Sequence, residues 1–451
     1  MLPALAVGFA LVLGGGGSPA PLPEMGLQLI LAGLFATWLW SLDETSRASV
    51  PRAAWLLMLL AVILPLLQLV PLPPTLWHAL PGRELERQAL ALIGAEDSWR
   101  SWSQSPARTL ASLLVILPVA ALIPMTAAAA PRARHGVVLA VLAVAALTMV
   151  LGGGQLSGGR GGALRFYEPL SAFLDGFQAN HNSTADLLLI AMIAVAAVVR
   201  DLIERDGLPA DRRLVLLVTA GATLLLGLGV VLTASRVGIA LLPLALLAEA
   251  VLLAPLFRIK PAMKPGKMLA VGLVLTVLLA LGGLALRQNA VLAGIVARFD
   301  FTGELRPELW RDSVYAIGQY FPFGSGMGTF VSSLVAVERL EVVRENMPNR
   351  AHNDFLELAV EGGIFGLLLL GAMAGVLVRA ALKSLRGSAN EGRGLSIFAL
   401  ASLLLLGLHS LVDYPFRSMA LASLAAACAG LILAPPQRNR AGQAGNLEEQ
   451  A

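Results

Sequence analysis

The chain has 451 residues, of which 57% are Ala, Val, Ile, Leu, Met, Phe, Trp, Tyr or Cys and only 14% are charged. Soluble domains carry about 25% charged residues, so this composition argues against a soluble enzyme; it also excludes disorder, which needs low hydrophobicity and high net charge. The formal charge of +4 comes from 33 basic residues against 29 acidic ones, too thin a surplus to signal nucleic acid. One cysteine, Cys428, rules out an intramolecular disulfide and a Cys-based metal site.

A bilayer core about 30 Å thick needs roughly 20 apolar residues per helix. In chain order the predicted spans are about 2–18, 25–41, 53–70, 108–129, 136–152, 184–199, 214–233, 238–256, 268–286, 362–381, 395–412 and 418–434, which makes twelve. The N-terminus has no basic leader, so the first span is expected to stay uncleaved. The expected class is an all-α polytopic membrane protein. N-terminal helices over 1–152 carry an outer loop at 71–107, a membrane domain over 153–434 contains the long loop 287–361, and a tail follows at 435–451.

An even number of spans puts both termini on one side. Alternate short connections hold 18 of the 33 basic residues, including all four lysines (Lys260, Lys264, Lys267 and Lys383). The positive-inside rule makes that face cytoplasmic. The opposite face has the long loops at 71–107, 153–183 and 287–361, and its 15 basic residues are all arginines. Arginine's planar fork matches phosphate and carboxylate, whereas lysine is a point charge. All four tyrosines and Trp77, Trp99, Trp102 and Trp310 also lie there, as an aromatic belt or as ligand contacts.

The outer segments differ in what they offer. Asn180-His181-Asn182 lies in an outer loop, where loop filler is the first reading. The turn Thr233-Ala-Ser-Arg-Val-Gly238 puts Arg236 at a membrane boundary, where it either snorkels or binds phosphate. An amphipathic helix is predicted from Arg306, with Pro307 near its start and Leu309/Trp310, Val314 and Ile317 on one stripe. Phe321 to Phe330 has glycines at 324, 326 and 328; no Gly-Lys-Ser/Thr follows, so it is a tight turn and not a P-loop. A second helix is expected near 328–345, with a solvated charged face. In Asn349 to Gly366, His352, Phe355/Leu356 and Ala359 follow helical spacing, which sets His352 on a helix two to three turns above the membrane. Neutral His is the usual general base near pH 7. Asp354 is its candidate orienting partner if the chain is not yet helical there. His409 and Asp413 are read as a structural pair.

Together these segments resemble the O-antigen ligase and polymerase superfamily of bacterial envelope glycosyltransferases. The matching pieces are Thr233–Gly238, Arg306-x-x-Leu-Trp310, Pro322–Phe330, Ala351-His-Asn-Asp-Phe-Leu-Glu357 running into Glu361-Gly-Gly-Ile-Phe-Gly366, His409-Ser-Leu-Val-Asp-Tyr414, and Phe177–Ala185, where His181 departs from the usual residue. The resemblance covers about 177–414. It implies a fold related to the C-type glycosyltransferases, with no metal or other cofactor and a glycan on undecaprenyl diphosphate as donor. It also implies His352 as the essential base and Arg236 and Arg306 on the diphosphate, with Arg311 able to take the second role. Asn353, Trp310, Tyr315, Asn180 and His181 are candidate acceptor or sugar contacts.

The expected reaction is inverting transfer to an acceptor hydroxyl on the periplasmic face of the inner membrane. A ligase uses lipid A–core as acceptor, a polymerase another lipid-linked repeat, and protein-glycosylating members Ser or Thr. Ligase type is favoured over polymerase. The rival from another class is a lipid-linked oligosaccharide flippase; against it, the halves show no internal repeat and Glu249 is the only clear acid within the spans.

Overall fold

The computed structural model describes residues 1–16, 21–44, 49–158, 164–167, 173–206, 211–257, 294, 297–299, 305–339, 341, 349–386 and 392–435. Apart from a two-residue ladder, these residues are helical or connect helices. Before the long outer loop the helices are α1 (Leu2–Leu13), α2 (Pro21–Ser41), α3 (Arg52–Gln68), α4 (Pro74–Trp77), α5 (Glu84–Ala91), α6 (Pro106–Ala120), α7 (Leu122–Ala127), α8 (Pro131–Gly158), α9 (His181–Asp206), α10 (Arg212–Leu232) and α11 (Arg236–Phe257). After it come α12 (Arg306–Tyr320), α13 (Phe330–Val335), α14 (Asp354–Arg386), α15 (Arg393–His409), a 3-10 turn (Pro415–Arg417) and α16 (Met419–Leu433).

Eleven of the twelve predicted spans coincide with these helices; the remaining one, the ninth at 268–286, lies outside the described residues. By length and composition, six described helices can cross a membrane: Leu22–Ser41, Pro106–Ala127, Pro131–Ser157, Arg212–Leu232, Arg236–Leu256 and Asp354–Arg386. Shorter apolar helices occupy Leu2–Leu13, Arg52–Gln68, Arg393–His409 and Met419–Leu433.

The chain forms two compact units, Met1–Val144 with Leu305–Ala451, and Ala145–Glu304. In the first, α16 is buried almost along its whole length, and its alanines and Gly430 let neighbours come close. A Cβ on Gly430 would lie 2.6 Å from the Ile123 carbonyl of α7. Small residues are how helices approach in lipid, where apolar surface alone gives no drive to associate. In the second unit, α9 packs against α10 and α11. Its residues from Ala185 to Ala194 are fully or almost fully buried, and Gly238 of α11 sits where a Cβ would be 2.5 Å from the Ala185 Cβ. The acid at Glu249 accepts a hydrogen bond from Thr223 at 2.9 Å.

The loop 71–107 is folded. Pro71–Leu72 (β1) pairs antiparallel with Arg100–Ser101 (β2), and Trp77, fully buried, donates from Nε1 to the Ser98 carbonyl at 2.9 Å. The helix expected near 328–345 is much shorter. It ends at Val335, and Arg339 reaches away to Asp312 at 2.7 Å. Residues 340 and 342–345 of the expected helix lie outside the described residues.

The feature that shapes the first unit is a break inside α14. Gly363 has φ 55° and ψ −148°, so the segment from Asp354 to Gly362 stands apart from the long apolar segment after it. A break frees carbonyls that must find other donors. Ser325 and Gly326 supply backbone N–H groups to the Val360 and Glu361 carbonyls, each at 2.9 Å, and Ile364 donates to Pro322 at 2.9 Å. Gln68, wholly buried at the end of α3, donates to the Glu361 carbonyl at 2.9 Å and accepts from the Met327 N–H at 2.8 Å.

This explains the alternate glycines. Gly324, Gly326 and Gly328 all have positive φ, and a Cβ on Gly324 would lie 2.5 Å from the Glu361 carbonyl. Gly363→Ala is expected to destabilise by about 2 kcal/mol or more, since alanine at positive φ is strained and its Cβ would strike the Pro322 carbonyl. Gly371→Ala, in the same helix with nothing within 4 Å, is expected to be neutral or stabilising. Thermal melts of the two detergent-purified variants check the contrast.

Candidate active site

The site is built where the outer end of α14 meets the turn between α15 and α16. His352 does not sit on a helix. It has φ +48°, and α14 begins two residues later at Asp354. The helical spacing predicted through His352 is thus corrected, for a local reason. Asn353 caps the helix: its Oδ1 accepts the N–H groups of Phe355 and Leu356, both at 3.0 Å. A helix capped at Asn353 excludes His352, and His is among the few non-glycine residues enriched at positive φ. The Asn353 side chain also donates to the Leu411 carbonyl at 2.8 Å, tying the cap to the facing turn.

The imidazole faces that turn. His352 Nδ1 is 2.9 Å from Asp413 Oδ1, and its ring meets Tyr414 edge-on at 4.9 Å. Asp413 is buried, while the His352 side chain is 32% exposed. His409, buried on α15, is 3.8 Å from the other Asp413 oxygen. The expected His409–Asp413 pair is therefore the longer of two contacts, and the shorter one goes to His352. The expected orienting residue, Asp354, instead accepts from Ser410 Oγ at 2.9 Å and from the Phe416 N–H at 3.2 Å.

Below His352 lies a buried ionic cluster that sequence reasoning missed. Asp354, Glu357 and Glu361, at i, i+3 and i+7, line one helix face and converge on Arg417. Arg417 Nη1 is 2.8 Å from Glu361, and Nε is 3.3 Å from Glu357 and 3.6 Å from Asp354. Glu357 also takes Arg350 at 3.0 Å and the Ala351 N–H at 3.0 Å. Burial works to discharge the Arg417 guanidinium, but Glu357, Glu361 and Asp354 outweigh it and hold its pKa above the ordinary arginine range. The helical spacing of the three acids was readable; their partner, 56 residues or more away, was not.

The other predicted residues fall in two groups. In the first unit, α12 opens at Arg306 with Pro307 in its first turn, as expected. Trp310, one turn on, donates from Nε1 to the Ala351 carbonyl at 3.1 Å, so this helix is fastened to the residue before His352. Arg306 is half-buried, and Arg311 and Tyr315 are exposed. The polar atoms of Trp310 and Asn353 hold the His352 turn.

In the second unit, Arg236 is the first residue of α11, half-buried. The turn before it is set by Thr233 Oγ1, which accepts the Ser235 N–H at 3.2 Å, and by Ser235 Oγ, which accepts the Gly238 N–H at 3.0 Å. Asn180 Oδ1 accepts the Asn182 N–H at 2.9 Å at the start of α9. His181 opens α9, with Arg298 Nη2 3.1 Å from its Nε2 and Phe173 meeting the ring edge-on at 6.0 Å.

Residues 221–371, a third of the chain, match the family model described as O-antigen ligase. The match includes Thr233–Gly238, Arg306, the glycine turn and His352; Asp413 and Arg417 lie beyond it. No curated protein matches the chain.

The double role of Asn353 is open to direct test. Asn353→Ala, which loses the cap and the bond to Leu411, is expected to cost about 1–2 kcal/mol; Asn353→Asp, which keeps the cap, is expected to cost less. Chemical or thermal unfolding of the purified variants measures the difference.

Proposed function

We propose that the chain, whose residues 221–371 match the family model described as O-antigen ligase, is an inverting, metal-independent glycosyltransferase of ligase type. It moves a glycan from undecaprenyl diphosphate to a hydroxyl of lipid A–core. It lies in a bacterial inner membrane, crossing about twelve times, with both termini cytoplasmic and His352 on the periplasmic side. The long apolar helices and the lysine-bearing connections opposite the working loops support that placement.

The observation that carries the reading is the His352–Asp413 pair at 2.9 Å. With Nδ1–H donated to a buried carboxylate, the lone pair is on Nε2, as a base requires. The acceptor hydroxyl gives its proton to Nε2 as its oxygen bonds to the anomeric carbon. The bond from that carbon to the diphosphate oxygen breaks on the opposite side, which inverts the centre and releases lipid diphosphate. Asp413 stabilises the imidazolium that forms.

Charge builds on the departing diphosphate, and preorganised positive groups are the largest source of help there. Arg236 and Arg306 take that role, with Arg311 one turn beyond Arg306 as the alternative second ligand. Asp413 is taken by His352 itself, and the next carboxylates, Glu357 and Glu361, are engaged by Arg417, Glu357 also by Arg350. That supports a reaction in which guanidinium groups, and not an acid-bound cation, meet the diphosphate. Tyr315, the Trp310 ring, Asn180 and His181 remain the proposed sugar or acceptor contacts.

Two results are expected. Deleting the gene should leave uncapped lipid A–core and accumulated lipid-linked polymer; a core carrying one repeat would instead mark a polymerase, and unprocessed donor confined to the cytoplasmic leaflet a flippase. Asp413→Asn in the purified protein should lower transfer by about 100-fold, through loss of the carboxylate that orients and stabilises the imidazole. Full transfer by that variant would remove Asp413 from the mechanism.

A further inference from the structure

We infer that Arg417 is the positioning residue for the His352–Asp413 pair, acting through Glu357 and Asp354; this rests on the catalytic reading of His352 given above. The pair joins two segments 61 residues apart in sequence. His352 belongs to the turn before α14, and Asp413 to the turn after α15. Something must hold those turns at hydrogen-bond distance, because a misplacement of about 1 Å in catalytic geometry costs on the order of 100-fold in rate.

Arg417 touches both sides. On the histidine side its Nε reaches Glu357 at 3.3 Å, and Glu357 accepts the N–H of Ala351, the residue before His352, while binding Arg350. On the aspartate side Arg417 is four residues beyond Asp413 in the same turn. Its Nε reaches Asp354 at 3.6 Å, and Asp354 accepts from Ser410 and Phe416, which flank Asp413 in sequence. Its Nη1 holds Glu361, which in turn accepts the Phe330 N–H at 3.1 Å, so the glycine turn is fastened to the same hub.

A guanidinium suits this hub better than an ammonium. Its planar fork gives separate N–H groups to carboxylates in different directions, and it stays charged when buried. The side chain is only 15% exposed, and Glu357 and Glu361 are wholly buried, so the hub is shielded from water and from competing ions. His352 itself faces Asp413 and Tyr414, and Asp413 also neighbours His409. Arg417 therefore acts on the imidazole only through the backbone turns it fixes.

The test uses full-length Arg417→Lys and Glu357→Gln in lipid nanodiscs, with lipid-linked donor and acceptor. Glu357→Gln keeps shape and an acceptor for the Ala351 N–H, and serves if Arg417→Lys does not fold. Protein labelled with 15N-histidine gives a hydrogen-bonded Nδ1–H signal for His352, assigned by its absence in His352→Ala. Both variants are expected to lose or broaden that signal, with kcat down about tenfold or more and donor KM within about twofold. A signal and a kcat per folded molecule equal to the parent's would overturn the inference, since a merely structural role lowers only the folded fraction. A lost signal with unchanged kcat would instead defeat the catalytic reading of His352 while leaving the tie itself intact.

Discussion

A helix that breaks must have its freed carbonyls satisfied, and the first unit is arranged around that need at Gly363. The donors come from two directions: the N–H groups of the Ser325–Gly326 turn, and the side chain of Gln68 at the end of α3. Ser103, just before α6, and Thr109 of α6 then close on the same turn, with Thr109 Oγ1 donating to the Met327 carbonyl at 2.8 Å and Ser103 Oγ 2.7 Å from Thr109 Oγ1. Only glycines permit such approach, and three of them alternate through the turn. The outcome is a half-helix, Asp354–Gly362, fixed in place although the helix is interrupted at Gly363.

That half-helix carries the charges. Asp354, Glu357 and Glu361 would be very costly to bury alone, and each is matched to a guanidinium or to N–H and O–H donors. A buried ion pair is weak evidence of net stability, but a well-satisfied one defines a single geometry. Here the geometry it defines is the His352 turn. Trp310, Asn353 and Glu357 each hold a backbone group within four residues of His352. The histidine is left with one ring nitrogen bonded to Asp413 and part of its ring open to solvent.

Hydropathy alone revealed the membrane class and the position of eleven helices, because a bilayer imposes length and composition on whatever crosses it. Pro307 gave the start of α12 for an equally local reason, a fixed φ suited to a first helical turn. The alternate glycines read correctly as a tight turn, and His352 stood out through its motif. What failed depended on contacts distant in sequence. The pairing of Asp413 with His352 required knowing that the α15–α16 turn faces the start of α14; spacing alone favoured His409, four residues away. The helical reading of His352 failed because an Asn cap one residue later outweighs apolar periodicity. Arg417 was counted only as an outer arginine, since nothing local distinguishes it from the others.

The central proposal is that His352 takes the proton in a metal-free transfer from a lipid diphosphate. It is tested most directly by purified protein in nanodiscs, with chelator present, a lipid-linked glycan donor and a lipid A–core acceptor. The parent protein is predicted to form product with inverted anomeric configuration, and His352→Ala to fall by about 100- to 10,000-fold. A His352→Ala protein that transfers at the parent rate would contradict it.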